Sequence, residues 1–193
     1  YYSKMLKNEV NKKKIIKTKR GEDPVTTADL KVNELVIKMI NEKYKNINWG
    51  ILSEENIKLK TDISANNFDW EWIIDPLDGT KDFIQGTSNY AMHLALSYKN
   101  EPYLGIVLIP EKNELWISDG KTVRCEKRDG TSYKLVEPRS KHISEMTFVC
   151  SKNHRNKTLE KLIEKLNFKK VNFMGSVGCK IASIIRGDSD IYI

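Results

Sequence analysis

The sequence predicts a protein of two parts, an α+β region built on an antiparallel sheet followed by a shorter α/β region. The first observation behind this fold class is a segment with helical periodicity that ends near Tyr44. It begins after Thr26 or Thr27, and either threonine can serve as the N-cap. Apolar residues recur along it at the spacing of one helix face. The predicted core-facing stripe consists of Val32, Leu35, Val36, Met39 and Ile40.

The second observation is a series of short apolar runs separated by turn residues, which predicts strands. The predicted strands are Trp49–Leu52, Trp70–Ile74, Ala91–Tyr98, Tyr103–Ile109 and Glu114–Ser118. The last three form an antiparallel meander, in which Met92, Leu94 and Leu96 share one face. A further hairpin is predicted over 123–136, around the turn pair Asp129-Gly130.

The third observation is a change of pattern after Pro138, where strands and helices alternate. The predicted order is strand Thr147–Cys150, helix Lys157–Leu166, strand Val171–Met174, helix Val177–Ile185 and a strand from Asp190. We therefore expect an N-terminal α+β domain over 1–140 and the start of an α/β domain over 141–193. Residues 2 to about 17 are predicted to form a polar helix.

The net charge of +7 is concentrated at one end of the chain. Residues 1–20 contain eight basic residues and one acidic residue, and the other 173 residues carry 25 of each kind. A nucleic-acid-binding protein usually spreads basic residues along a face and interleaves aromatic residues, so we expect no nucleic-acid partner. No apolar run approaches the ~20 residues of a membrane span, and the three cysteines form no C-x-x-C pair, which predicts free thiols in the cytoplasm.

Two aspartates lie unusually close together at the end of a predicted strand. Asp75 and Asp78 stand in the stretch D-P-L-D-G-T, where like charges repel unless a cation lies between them. A plain Asp-Pro turn is the alternative explanation. Carboxylates also follow the strand that precedes Glu54-Glu55, and Asp29 lies in the first turn of a helix. Three such sites favour a centre for a hard cation such as Mg²⁺, which prefers oxygen ligands.

Three stretches in order resemble the motifs of the inositol monophosphatase superfamily of Mg²⁺-dependent, lithium-sensitive phosphatases. They are P-V-T-T-A-D over 24–29, L-S-E-E over 52–55 and D-P-L-D-G-T over 75–80. The continuation Lys81-Asp82-Phe83 is similar to the branch of CysQ-type 3′(2′),5′-bisphosphate nucleotidases, which act in sulfur metabolism. The resemblance implies a layered α-β-α-β-α fold and hydrolysis of the 3′-phosphate of adenosine 3′,5′-bisphosphate, with possible activity on its sulfated relative.

The resemblance also implies roles for individual residues. Metal ligands would be Glu54, Asp75, the Leu77 carbonyl and Asp78, with Asp75 bridging two ions of a centre that holds two or three Mg²⁺ when complete. Asp29 and Thr80 match the catalytic pair that orients and deprotonates the attacking water.

The substrate residues implied by the resemblance rest on shorter motifs. They are Gly79, Thr80, Ser151, His154, Ser176 and Lys180. His154 could stack on or hydrogen-bond to a purine, but a histidine at the exit of a strand is often structural. Lys180 could bind a second phosphate, although a solvated lysine on a helix is the alternative.

The family pattern includes one more metal-binding aspartate, in a Trp-Asp motif that this sequence lacks. We therefore expect an intact first domain and an incomplete second domain. The alternatives to the nucleotidase are an inositol monophosphatase, a fructose-1,6-bisphosphatase, or a non-catalytic nucleotide-binding fragment. In each case the expected partner is a small phosphate monoester, and a homodimer is possible.

Overall fold

The computed structural model describes residues 15–17, 24–59, 68–133, 135–137, 140–153 and 156–193. The strands are β1 (Ile15–Lys17), β2 (Val25–Thr26), β3 (Gly50–Ser53), β4 (Trp70–Asp78), β5 (Ala91–Tyr98), β6 (Glu101–Ile109), β7 (Glu114–Ser118), β8 (Val123–Lys127), β9 (Thr147–Ser151), β10 (Lys170–Met174) and β11 (Ile191–Tyr192). The α-helices are α1 (Thr27–Lys43), α2 (Glu54–Leu59), α3 (Thr80–Gln85), α4 (Lys157–Leu166) and α5 (Val177–Ile185), and short 3₁₀ turns span Pro110–Lys112 and Ile143–Glu145. Within these ranges no helix has both the length and the apolar character needed to cross a membrane.

The main sheet has six strands in the order β3-β4-β5-β6-β7-β8. From β4 to β8 every pairing is antiparallel, which confirms the predicted meander. The edge strand β3 instead pairs parallel with β4. This parallel pairing matters for the site because β3 and β4 both end at the same edge of the sheet, where their carboxylates follow.

Helix α1 covers one face of the main sheet. Its Val32 and Ile40 are buried in two separate hydrophobic clusters, and Val36, which lies between them in the helix, packs against both clusters. Met92, Leu94 and Leu96 of β5 lie in the same clusters, which confirms that they share the face that meets α1. The inclusion of Met39 in the core-facing stripe was wrong, since Met39 is 56% exposed to solvent.

Helix α5 packs on the opposite face of the main sheet. Its Cys179 and Ala182 lie in a buried cluster with Ala91, Ile109 and Trp116 of the sheet. The same helix also contacts the smaller sheet, which is parallel throughout and has the order β10-β9-β11. Helix α5 therefore lies between the two sheets, in the layered arrangement of helices and sheets that the resemblance implies.

Several predicted boundaries differ from the structure. The predicted polar helix extends to about residue 17, but Ile15–Lys17 is a strand paired with Val25–Thr26, as suits two adjacent β-branched residues; the rest of that helix lies outside the described residues. Strand β4 continues to Asp78, beyond the predicted end at Ile74. In the hairpin predicted over 123–136, the first strand forms as β8. Among the described residues, the second half pairs with it only through a single bridge between Glu126 and Ser132.

Candidate active site

The N-terminus of α1 holds Asp29 in a fixed position. Thr26, one of the two predicted candidates, is the N-cap, and Asp29 is the third residue of the helix in a capping box. The Asp29 Oδ2 atom accepts hydrogen bonds from the Thr26 amide at 2.7 Å and from the Thr26 hydroxyl at 2.5 Å. Its other oxygen, Oδ1, lies 3.2 Å from the Thr80 hydroxyl. The cap therefore occupies one oxygen of Asp29 and leaves the other to Thr80.

Burial makes Asp29 a stronger base than an exposed aspartate. Only 1% of the residue is exposed, and desolvation raises the pKa of its carboxyl group, although the hydrogen bonds from Thr26 and Thr80 oppose this rise. The Thr80 hydroxyl also lies 3.0 Å from the Leu77 carbonyl oxygen. With a single hydrogen to donate, this hydroxyl bonds to either Asp29 or Leu77 at a given moment.

Glu54 is the first residue of α2, directly after β3. A buried hydrogen-bond network fixes this junction to α1. The Asn33 side chain accepts a bond from the Ser53 hydroxyl at 2.5 Å and donates one to Asn56 at 2.9 Å, so that both residues flanking the Glu54-Glu55 pair are held. The network orients the start of α2 and, with it, the Glu54 carboxylate.

The end of β4 brings Asp75 and Asp78 to the same edge. Pairing with β5 is irregular between these two aspartates, so Pro76 and Leu77 form a bulge. Gly79 follows with a φ of 87°, and a Cβ atom at this position would lie 2.8 Å from the Asn89 carbonyl oxygen. Glycine is therefore required for the chain to turn from β4 into α3.

The carboxylates of this edge crowd one another. Burial, followed by the nearby charges of Glu54 and Asp78, raises the pKa of Asp75 to about 8. Only one backbone group, the Leu77 amide at 3.2 Å, opposes this rise by donating to Asp75 Oδ1. Near neutral pH the Asp75 carboxyl group therefore keeps its proton. A bound cation would offset the charges of Glu54 and Asp78 and lower this pKa again.

His93 of β5 lies in the same cluster and was not predicted as a site residue. It is the register partner of Asp75. Its Nδ1 atom lies 3.8 Å from Asp75 Oδ2 and its Nε2 atom lies 3.3 Å from Asp78 Oδ2. Desolvation lowers the pKa of His93, against the pull of Asp78 and Glu54. One donor atom from each of Asp75, Asp78 and His93 lies within 4.8 Å of the others.

The donor set fits a divalent cation. Glu54, Asp75 and Asp78 offer hard carboxylate oxygens, and the charges of Glu54 and Asp78 add to the effect of burial in raising the pKa of Asp75. A bound ion would neutralise the repulsion between these charges at once. The residues that could hold it are Glu54, Asp75, Asp78 and the Leu77 carbonyl, as the resemblance implies.

Asp78 also joins the main sheet to α5. The first amide of α5, that of Val177, donates a hydrogen bond to Asp78 Oδ2 at 2.5 Å. A carboxylate is favoured at this position by the partial positive charge of a helix N-terminus. The contact sets the orientation of Asp78 and the distance between the cluster and α5.

The cluster opens into a cavity of about 820 Å³. Glu54, Asp75, Leu77, Asp78 and Thr80 line it together with residues of the smaller sheet and of α4. The basic residues of its lining are Lys81, Lys161, Lys165 and Lys180. Carboxylates and lysines thus face one space, which suits a metal ion and an anionic ligand.

The structure places the predicted substrate residues differently from one another. Gly79, Thr80, Ser151 and Lys180 line the cavity. Lys180 is 2% exposed, donates to the Gly175 carbonyl at 3.3 Å and lies 5.1 Å from the centre of the Tyr192 ring, so it is not the solvated lysine of the alternative. Ser176 is buried away from the cavity lining, where its side chain caps α5 by accepting from the Cys179 amide. His154 lies outside the described residues.

Solved structures establish the class of fold. An IMPase of Thermotoga maritima superposes with a TM-score of 0.79 over 99% of this chain and 70% of its own, at 23% identity. A dual-specific IMPase/NADP phosphatase bound with D-inositol-1-phosphate superposes with a TM-score of 0.74 over 97% of this chain and 67% of its own, at 20% identity. The chain has the fold of these phosphatases, which confirms the predicted fold class.

The inositol monophosphatase family model matches residues 1–193, and the chain belongs to this family. The CysQ 3′(2′),5′-bisphosphate nucleotidase of Buchnera aphidicola is 28% identical over 177 residues, which are 90% of this chain and 63% of the relative. The Nus factor SuhB of Haemophilus influenzae is 33% identical over 113 residues, which are 58% of this chain and 40% of the relative. The chain therefore spans less than two thirds of the length of these relatives. The family match and the CysQ relatives confirm the resemblance drawn from the motifs.

Proposed function

We propose that the protein is a Mg²⁺-dependent phosphomonoesterase that hydrolyses the 3′-phosphate of adenosine 3′,5′-bisphosphate to AMP and phosphate. The observation that carries this proposal is the convergence of two groups on one cavity: the Thr80 hydroxyl backed by Asp29, and the carboxylates of Glu54, Asp75 and Asp78. The first can accept a proton, and the second can hold a divalent cation.

Thr80 and Asp29 form a proton path away from the cavity. When the Thr80 hydroxyl donates to Asp29 Oδ1, its oxygen can accept a proton from a water molecule in the cavity. That water forms a bond to phosphorus as the bond from phosphorus to the ester oxygen breaks, and its proton passes through Thr80 to Asp29. The raised pKa of Asp29 favours acceptance of the proton.

The carboxylate cluster would hold Mg²⁺ through Glu54, Asp75, the Leu77 carbonyl and Asp78. When bound, Mg²⁺ supplies positive charge that lowers the pKa of water and stabilises the transferring phosphoryl group. The bulge over 76–77 and the tight turn at Gly79 hold these ligands at the edge of the sheet, so little reorganisation is needed when the ion binds.

The lysines favour a substrate with a second phosphate. Lys161 and Lys165 of α4 and Lys180 of α5 line the same cavity as the carboxylates. A lysine acts on a phosphate as a point charge, and an inositol monophosphate has no second phosphate to engage it. The similarity to CysQ relatives supports the same substrate, and three buried free cysteines fit a reducing compartment such as the cytoplasm.

Phosphate release tests the proposal directly. The chain is incubated at saturating Mg²⁺ with adenosine 3′,5′-bisphosphate, inositol 1-phosphate or fructose 1,6-bisphosphate, and released phosphate and AMP are quantified. We expect the nucleotide to give the highest kcat/KM and chelation of Mg²⁺ to abolish release. Binding of the nucleotide with no release from any substrate would contradict the proposed reaction, and a preference for inositol 1-phosphate would contradict the proposed substrate.

A further inference from the structure

His93 introduces a nitrogen donor into a cluster that is otherwise made of oxygen donors. The register of β4 and β5 pairs it with Asp75, so the two side chains leave the sheet on the same face. The ring reaches both aspartates, with Nδ1 at 3.8 Å from Asp75 Oδ2 and Nε2 at 3.3 Å from Asp78 Oδ2. A single cation bound to both aspartates would therefore meet the imidazole as well.

The surroundings of His93 hold its ring in place. Helix α5 approaches it at Gly178, where a Cβ atom would lie 2.4 Å from His93 Nε2 and 2.6 Å from a methyl group of Val107. The absence of a side chain at Gly178 thus makes room for the imidazole between the sheet and the helix. A ring confined in this way loses little conformational freedom when it binds an ion.

The hydrogen bonding of His93 is incomplete within the part of the chain that the structure describes. Its Nε2 atom is buried and forms no hydrogen bond there. The nearest carboxylate oxygen, Asp78 Oδ2, already accepts the Val177 amide. Buried polar atoms almost always have a partner, so an exception beside two carboxylates points to a ligand that would supply one.

We propose that His93 is a nitrogen ligand of the metal centre, so that the site that holds Mg²⁺ in the proposed function gains affinity for a borderline transition ion such as Mn²⁺. Imidazole binds first-row transition ions well, whereas Mg²⁺ is best served by oxygen ligands alone. The inference rests on the metal site of the proposed function, but it does not depend on which phosphate ester the protein hydrolyses.

Pulsed electron paramagnetic resonance of Mn²⁺ tests the proposal without any measurement of turnover. Mn²⁺ is added to the purified chain, and modulation of the electron spin echo by nitrogen is recorded. We expect modulation from a directly bound nitrogen in the wild type, and a change in its frequencies when the histidines are labelled with ¹⁵N. His93→Asn should lose the signal, and His142→Asn should keep it because His142 is exposed at the N-cap of a 3₁₀ turn and does not line the cavity.

Calorimetry of metal binding supplies the second readout. For His93→Asn we expect the affinity for Mn²⁺ to fall about 10-fold or more while the affinity for Mg²⁺ changes about 2-fold or less. His93→Gln serves as a second variant, and circular dichroism establishes that each variant is folded. Absence of a nitrogen signal in the wild type, or equal losses of Mn²⁺ and Mg²⁺ affinity, would overturn the proposal. A nitrogen signal in a chain that hydrolyses none of the three esters would uphold it and refute the proposed function alone.

Discussion

Asp29 and Asp75 are both buried aspartates whose pKa is raised by desolvation, yet their surroundings differ. Asp29 accepts two hydrogen bonds from Thr26 and lies within reach of Thr80, so the fold itself satisfies it. Asp75 receives one backbone amide, shares a side-chain hydrogen bond with Glu54, and faces the like charges of Glu54 and Asp78. Hydrogen bonds from the protein stabilise the charged form of the first carboxylate, whereas burial and like charges favour the neutral form of the second. The difference matches the roles proposed for the two residues, proton transfer for Asp29 and metal binding for Asp75.

The largest expected effect comes from Asp75→Asn. Loss of this charge should remove Mg²⁺ binding and reduce phosphate release at least ~1,000-fold, a change of about 4 kcal/mol in the barrier. The metal-free protein should remain as stable or become more stable, because the repulsion with Glu54 and Asp78 is relieved. Turnover and chemical denaturation of both proteins measure this. Near-normal Mg²⁺-dependent turnover in the variant would refute the role of Asp75.

The next largest effect is expected for Thr80→Ala, which breaks the proton path to Asp29 but leaves the carboxylate cluster in place. We expect kcat to fall about 100-fold or more, in the range typical of general base catalysis, with Mg²⁺ affinity nearly unchanged. Thr80→Ser keeps the hydroxyl and should retain most of the activity. Equal activity in the alanine and serine variants would mean that the hydroxyl carries no proton.

The stability of the metal-free protein should depend on pH through Asp75. Between its ordinary pKa of 3.8 and its folded value of about 8, Asp75 holds a proton in the folded state that it has released in the unfolded state. The free energy of unfolding therefore falls as pH rises, by up to about 1.4 kcal/mol per pH unit. His93 acts in the opposite direction, but only below its ordinary pKa of 6.5, because its folded pKa is lowered.

Urea denaturation in a chelator between pH ~6.5 and ~8 isolates the contribution of Asp75. Asp29 contributes with the same sign, so the comparison is made with Asp75→Asn, which keeps Asp29. We expect the slope to be smaller in this variant and in the wild type with Mg²⁺ present. A wild-type stability that rises with pH over this range would contradict the carboxylate repulsion.

The smallest effect is expected at Asn33, which holds the start of α2 but does not itself line the cavity. Asn33→Ala removes the partners of Ser53 and Asn56 and should lower the free energy of unfolding by about 1–3 kcal/mol. Asn41→Ala, at an exposed position of the same helix, serves as the control and should change it by less than about 0.5 kcal/mol. Equal losses in the two variants would show that the network does not stabilise this junction.

The sequence predicted the elements that carry strong periodicity and the motif residues of the candidate site. The cap at Thr26, the meander from β5 to β7 and the convergence of Asp29 with Thr80 all depend on local pattern or on motifs, and all are found in the structure. Helices α2 and α3 were not predicted, because each has only six residues and follows directly from a strand. Short helices give too little periodicity to be recognised.

Contacts between distant parts of the chain could not be predicted either. His93 joins the cluster only because β5 pairs with β4 in one particular register, and a shift of one residue would have placed its ring on the face of α1. Asp82, which belongs to the motif that indicated the CysQ branch, is buried and binds Thr87 and Lys152. The acid of that motif therefore ties α3 to the smaller sheet, a structural role that the motif alone did not reveal.

The hydrogen bond from the Val177 amide to Asp78 has a consequence for the order of folding. The two residues are 99 positions apart in the chain, so the cluster reaches its final geometry only after α5 has docked on the main sheet. Contacts of such long separation form late, because the loop between them must be closed first. During synthesis, α5 has to leave the ribosome before Asp78, a proposed metal ligand, takes its final orientation. Under the proposed function, metal affinity would therefore be complete only after α5 has docked on the main sheet.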